Sequence, residues 1–284
     1  MTGWRQGTCA VALACAFAAT CQGLRASGQE QTPPCGGDEI ARAIVSRIGD
    51  GRTFTLADGR EVRLAAIEVP ALPLPQRSNR ESNAGPGGVA AKDALEALAG
   101  GDDVVLRRAQ TASDRYGRIV AYAYTERDGD ELFVQGELIA AGFARVADQI
   151  GSHTCAAALL AREHAARKAR LGLWADPYYD LLDAEAPADV LAHKGQFALV
   201  AGKVASVRES GATIYLNFGR YWSEDFAVTV RKRNERTFAA AGLDLPGLVG
   251  RRVIVRGFIE ARDTRGTPSI EATRPEQIET ADRD

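Results

Sequence analysis

Residues 48–72 read IGDGRTFTLADGREVRLAAIEVPAL and crowd charged side chains of both signs into one short stretch. Arginines stand at Arg52, Arg60 and Arg63, and acids at Asp50, Asp58, Glu61 and Glu68. Carboxylates are the side chains that hold hard cations through oxygen, and guanidinium forks match the oxygens of a phosphate. The segment therefore has the residue types for metal and phosphate chemistry, with few acids for the task. One further arginine, Arg118, stands in SDRYGR. Elsewhere the candidates thin out. His153, His164 and His193 have no partner at metal-binding spacing and are expected in surface or structural roles. There is no serine-nucleophile motif and no glycine-rich phosphate loop. The run RKRNER (residues 231–236), with Phe218, Tyr221 and Trp222 of NFGRYW, has the cations and stacking rings of a single-strand binder. Glu224, Asp225 and Glu235 dilute that patch, and a solvated turn beside barrel-rim aromatics is the plainer expectation.

The elements that must position these residues follow from periodicity. IARAIVSRI, RTFTLA and REVRLAAI alternate and are separated by Asp-Gly pairs, which predicts a three-stranded meander. A long loop rich in Pro, Asn, Ser and Gly comes next, carrying Glu81 as a conceivable extra acid. GVAAKDALEALAGG has helical spacing and closing glycines. DDVVLRRA and GRIVAYAYTE read as strands, residues 134–141 as a short helix, and CAAALLAREHAARKARLGLW as a long one ending near Gly172. After residues 177–192, where turn residues and acids break the pattern, strands return in ATIYLNFG, FAVTV, RVIVRGFIEAR and TPSIEAT, with a helix at ERTFAAAGL. A short meander with one helix fits a small closed barrel. The 284 residues suffice for two modest domains. The net charge of −2 supplies no overall attraction to nucleic acid, so phosphate binding has to come from a local cluster.

Residues 39–176 resemble the staphylococcal nuclease (thermonuclease) family. The likeness lies in five pieces in family order: DGRTFTLADGREVRLAAIEVP, GGVAAKDALEAL, SDRYGRIVAYAY, LFVQGELIAAGFARV and the helix ending ARLGLW. The resemblance implies a mainly β fold with helices (α+β), an OB-type five-stranded barrel with three helices, followed here by a second small OB-like β-barrel. It also implies nucleic-acid phosphodiesters as substrates and calcium as cofactor. Arg63 matches the first phosphate arginine and Arg118 the second. The acids depart from the pattern. Asp50-Gly51-Arg52-Thr53 puts arginine where the family has a ligand aspartate, and Glu68-Val69-Pro70-Ala71 puts a longer carboxylate at the second ligand and alanine at the general base. Asp50 matches an acid peripheral in the family. The paired change suggests that Arg52 occupies the space of the ion and pairs with Glu68. Arg52, Arg63 and Arg118 would then form an anion pocket.

The N-terminus reads as a targeting signal. Arg5 precedes the apolar run TCAVALACAFAAT, too short for a comfortable membrane span, and small residues follow at AFA or LRA. An uncleaved anchor is the alternative. The expected layout is a signal peptide at 1–26, linker 27–38, thermonuclease-like domain 39–176, linker 177–192, OB-like domain 193–278 and disordered tail 279–284. Cys9, Cys15 and, on that cleavage, Cys21 leave with the signal, so that Cys35 and Cys155 remain in an oxidising compartment, expected as a disulfide with two unpaired thiols as the alternative. If Cys21 stays, the pairing is open. The whole describes a periplasmic or secreted protein that binds nucleic acid, another phosphorylated ligand or an envelope protein partner, expected to lack catalysis and to need no cofactor. The alternatives are a calcium-dependent phosphodiesterase with a rearranged site, its metal held by Glu68 and Asp50, and a structural interaction module.

Overall fold

Alternating apolar positions and tight glycine turns build two barrels from one connection scheme. The computed structural model describes residues 33–73, 85–127 and 129–280. The expected signal peptide, Cys9, Cys15, Cys21 and Glu81 lie outside them.

The first barrel opens with β1 (Glu39–Asp50), β2 (Thr53–Leu56), β3 (Glu61–Leu64) and the two-residue β4 (Ile67–Glu68). Register breaks after Val45 and Ile48 coil β1, so it pairs with β2 at one end and with β5 (Asp103–Ser113) at the other. Gly59, at φ 86°, makes the Asp-Gly turn that sends β3 back along β2. Between β4 and β5 lies α1 (Gly88–Ala99), whose Ala91, Leu95 and Ala99 are buried at helical spacing. After β5 come β6 (Ile119–Arg127), β7 (Asp130–Phe133), α2 (Val134–Ala140), β8 (Arg145–Val146) and α3 (His153–Lys168). Parallel pairing of β3 with β6, Arg63 opposite Val120, closes β1, β2, β3, β6 and β5 into a five-stranded ring. Phe54, Leu56, Val62, Leu64 and Leu106 fill it. The fully buried Gln135 is satisfied within this core: it accepts from Ala123 N (3.1 Å) and donates to Ala121 O (3.0 Å). A disulfide joins Cys35, ahead of β1, to Cys155 in the first turn of α3.

Residues 177–192 are structured. They hold a 3-10 turn (Pro177–Tyr179), β9 (Leu182–Asp183), which pairs in parallel with the next strand, and α4 (Pro187–Ala192). The second barrel follows as β10 (Phe197–Lys203), β11 (Ser206–Ser210), β12 (Thr213–Asn217), β13 (Ala227–Arg231), α5 (Glu235–Ala240), β14 (Arg252–Phe258), β15 (Glu260–Ala261), β16 (Pro268–Glu271) and β17 (Ile278–Thr280). Strand β10 runs on into β11 past buried Val204, and β14 into β15 past buried Ile259, so each bent pair serves two sheets. The ring is β10/β11, β12, β13, β16 and β15/β14, again closed by a parallel pair, β13 with β16. A helix lies between the third and fourth strands of each ring. Both barrels thus have OB-type connectivity.

From Pro33 onward the two barrels cluster as one compact unit. Trp174, Tyr179, Phe197 and Leu199 share a small core at the junction. Arg256, on β14 and fully buried, crosses to the first barrel, where it donates to Val146 O (3.0 Å) and Glu163 Oε2 (2.7 Å), and it also pairs with Glu279. That ion pair sets Glu279 and Thr280 within β17, past the 278 boundary expected from sequence, because the tail segment has a buried cation to hold. Among the described residues no helix is long and apolar enough to cross a membrane.

Candidate phosphate-binding site

The charged segment 48–72 spans the β1–β2 turn, β3 and β4, on one flank of the first barrel. Asp50 shapes the turn: its carboxylate accepts from Arg52 N at 2.8 Å. The turn is tight because Gly51 faces α1, and a Cβ there would sit 2.7 Å from the Cβ of Ala91. Arg52 is thereby aimed at β4, where its Nη1 pairs with Glu68 Oε2. Both side chains are largely buried, which strengthens their attraction and makes either alone costly.

Arg63 projects from β3 beside this pair, its Nη2 4.0 Å from the same Glu68 oxygen. It makes no hydrogen bond among the described residues, and its side chain is 32% exposed. Burial lowers its pKa, the positive fields of Arg52 and Arg118 add to that, and Glu68 and Asp114 oppose it. A guanidinium still stays protonated under such pressure. It is a cation with an unused fork at the mouth of a cleft of about 420 Å³.

The same cleft is lined by Glu68, Asp114, Tyr122 and Asp148. Arg118 does not line it. The turn between β5 and β6 ties Arg118 back on Asp114, whose carboxylate accepts from Tyr116 N (2.9 Å), Arg118 N (3.1 Å) and Arg118 Nε (2.7 Å). Burial would raise the pKa of Asp114, but these hydrogen bonds hold it below the usual range. The guanidinium of Arg118 also lies 5.2 Å from the ring centroid of Tyr116. The three arginines therefore do not share one open pocket. Arg52 and Arg118 are each committed to a carboxylate, and Arg63 alone presents free donors.

Ala71 lies just past β4 and is exposed. Its backbone is held against the start of α1, where a Cβ on Gly88 would come within 2.3 Å of Ala71 O. With Asp50, Arg52 and Glu68 it lines a second cleft, of about 350 Å³, whose far wall is Tyr178, Gln196, Phe197 and Phe258. Glu68 and Phe258 line both clefts, so the Arg52–Glu68 pair stands between them.

Two residues of this region gave no sequence signal. Asp148 follows β8, and its pKa is raised chiefly by burial, with Glu68 adding and Arg63 opposing. Arg145 lies on β8 opposite Glu68 in the strand register. Only 8% exposed, it donates to Phe197 O at 2.8 Å and lies 5.0 Å from the centroids of both Tyr179 and Phe197. Among the described residues it has no carboxylate partner, its Nε has no hydrogen bond, and burial lowers its pKa. Neither residue falls in a charged run or at a recognisable spacing.

Two of the histidines have ordinary partners. His164 pairs with Glu279, and His193 Nδ1 lies 3.0 Å from Asp189 O. Among the described residues no group of three His, Cys, Asp or Glu is arranged to hold a metal.

Residues 61–176 match the model of the family described as staphylococcal nuclease homologue. The search of curated proteins returned no match.

Proposed function

We propose, with residues 61–176 belonging to the staphylococcal nuclease homologue family, that this chain binds nucleic acid, or another phosphate-bearing ligand, in the cleft of the first barrel without cutting it. The observation that carries the reading is the Arg52–Glu68 ion pair. Where the family resemblance expects a cation held by carboxylates, a guanidinium lies on the one carboxylate left on β4. Calcium takes six to eight oxygen ligands. Here Glu68 is committed to Arg52, and Asp50 to the backbone of the turn. The donor set does not suit the ion.

The phosphate side differs. Arg63 keeps free donors facing solvent, and a guanidinium fork suits phosphate oxygens. The position expected to activate water is Ala71, which has no proton to move. A positioned base contributes roughly 10²–10⁴ in rate, so its absence weighs against turnover. Export fits the same picture. A disulfide persists in oxidising compartments, and residues 1–26 have the charge and apolar pattern of a signal peptide. A periplasmic or secreted location follows.

The test incubates the protein with labelled single-stranded DNA and RNA, with calcium and with chelator, reading binding and products together. Strands are expected to stay intact in both, and binding to weaken steeply with salt. Arg63→Ala should lower affinity about 10-fold or more, the scale of one lost charge-assisted bond. Calcium-dependent products would overturn the non-catalytic reading. A rearranged phosphodiesterase would need a titratable group in the same cleft, and Asp148 supplies one. Any cleavage should then disappear in Asp148→Asn.

A further inference from the structure

The second barrel has a cleft of its own, of about 510 Å³, that shares no lining residue with the two beside Arg52 and Glu68. It lies on the face of β11 and β12, between the β15–β16 turn and the loop that follows β12. Trp222, 61% exposed, stands at its edge. Tyr215 on β12 lines it, directly opposite Arg208 of β11 in the strand register. Arg262 reaches in from the far side. Its guanidinium carbon lies 5.6 Å from the centroid of the Tyr215 ring, and its Nη2 donates to Trp222 O.

The charges around these rings are unequally committed. Glu209 is drawn off by Lys232 (2.5 Å). Asp263 is enclosed in its own turn, where it accepts from Thr267 N (3.2 Å) and Arg265 N (3.0 Å) and pairs with Arg265 (3.1 Å). Arg208 has no hydrogen bond or ion pair among the described residues, and Arg262 has no carboxylate partner there. Two cations without carboxylate partners thus line, together with two aromatic rings, a cleft large enough for a planar ligand. The basic run at residues 231–236 plays a different part. Arg231 pairs with Glu271 (2.9 Å) and Lys232 with Glu209, so that run is partly neutralised, and Lys232 relieves the cleft of an acid. Phe218 is buried in the barrel core and takes no part.

We propose that this cleft is a nucleotide-binding site, in which a base stacks on Trp222 and Tyr215 while the adjoining phosphate is held by Arg208 and Arg262. Stacking tolerates any base because every base has a π face, and guanidinium donors suit phosphate oxygens. The unit could come from a single strand or from a free mononucleotide. The inference goes beyond the reading of the first barrel and does not depend on Arg63.

The experiment follows tryptophan fluorescence of the full chain titrated with dT12, rU12, UMP or inorganic phosphate. Of the three tryptophans, Trp174 is only 2% exposed and Trp4 lies outside the described residues, so loss of the signal in Trp222→Phe is what assigns the quenching to Trp222. Saturable quenching by an oligonucleotide, weakened about 10-fold or more in Arg208→Ala and Arg262→Ala and unchanged in Arg63→Ala, is the expected result. Equal quenching by UMP would identify free nucleotides as the source and support the site. No quenching by oligonucleotide or UMP, quenching indifferent to both cleft arginines, or equal response to inorganic phosphate alone would overturn it. Thermal melts of each variant separate loss of binding from loss of fold. A failure of Arg63→Ala to weaken oligonucleotide affinity bears on the first barrel only.

Discussion

Arg256→Met is expected to lower the melting temperature by on the order of 10 °C. Arg256 and Glu163 are both fully buried, and their ion pair bridges the two barrels. Removing one partner of such a pair strands the other charge, at a cost of about 3–5 kcal/mol. A chain of this size shifts by roughly 2–4 °C per kcal/mol. The loss spreads beyond the pair, because Arg256 also donates to Val146 O while Val146 N donates to Glu163 (2.7 Å). Arg256→Met with Glu163→Gln removes the fully buried stranded charge, leaves Glu279 with His164, and keeps an acceptor for Val146 N, so it should recover part of the loss. If the single variant melts within a few degrees of the parent, the buried pair does not hold the barrels together.

The same cluster sets an acid dependence. Burial would raise the pKa of Glu279, but the hydrogen bond from His164 and the charge of Arg256 bring it down to about 2 from 4.5. A carboxyl depressed in the fold stabilises the native state above its unfolded pKa and loses that contribution as pH falls toward the folded value. Melting temperatures should therefore drop between about pH 4.5 and 2 in the parent. In Arg256→Met the drop should be shallower, since one of the groups that depresses Glu279 is gone.

Reducing the Cys35–Cys155 disulfide is the second large effect expected. The bond spans 120 residues, and the loop-entropy argument assigns a closure of that length about 4–5 kcal/mol. Native contacts near Cys35 remain after reduction: Tyr124 Oη donates to Cys35 O (2.6 Å), and Gly37 N to Arg108 O (2.9 Å). The denaturant midpoint should fall on reduction while the m-value rises, because the uncrosslinked unfolded chain exposes more surface, and Cys35→Ser with Cys155→Ser should reproduce both. An unmoved midpoint would mean that the unfolded chain gains little freedom from the cut.

Strand periodicity and the Asp-Gly turns were enough to read the meander of β1 to β3, and the spacing of Ala91, Leu95 and Ala99 the helix α1. These are local signals, carried by neighbours in sequence, and they are strong because one face of each element is buried. The chemistry of segment 48–72 was legible for the same reason: which positions hold carboxylate, guanidinium or methyl is written directly in the residues. Arg52 and Arg63 as cations and Ala71 as a position without a titratable group needed no coordinates.

Tertiary structure decided what each charge is doing, because a charge acts according to its nearest partner and its distance from water, and neither is encoded locally. Arg118 looked equivalent to Arg63, yet its guanidinium is taken up by Asp114 at the edge of the cleft that Arg63 faces. Nothing in the sequence marks Arg145 or Arg256. One lies between two rings without a carboxylate, and the other is buried on Glu163, 93 positions away in sequence. The run at residues 231–236 was the conspicuous basic patch, but it is partly spent on ion pairs, while Arg208 and Arg262, far apart in sequence, line one cleft with Tyr215. Sequence alone determined the strands, the turns and the inventory of charges. Closure of each barrel through a parallel strand pair decided which of those charges meet, which are satisfied and which remain free to bind.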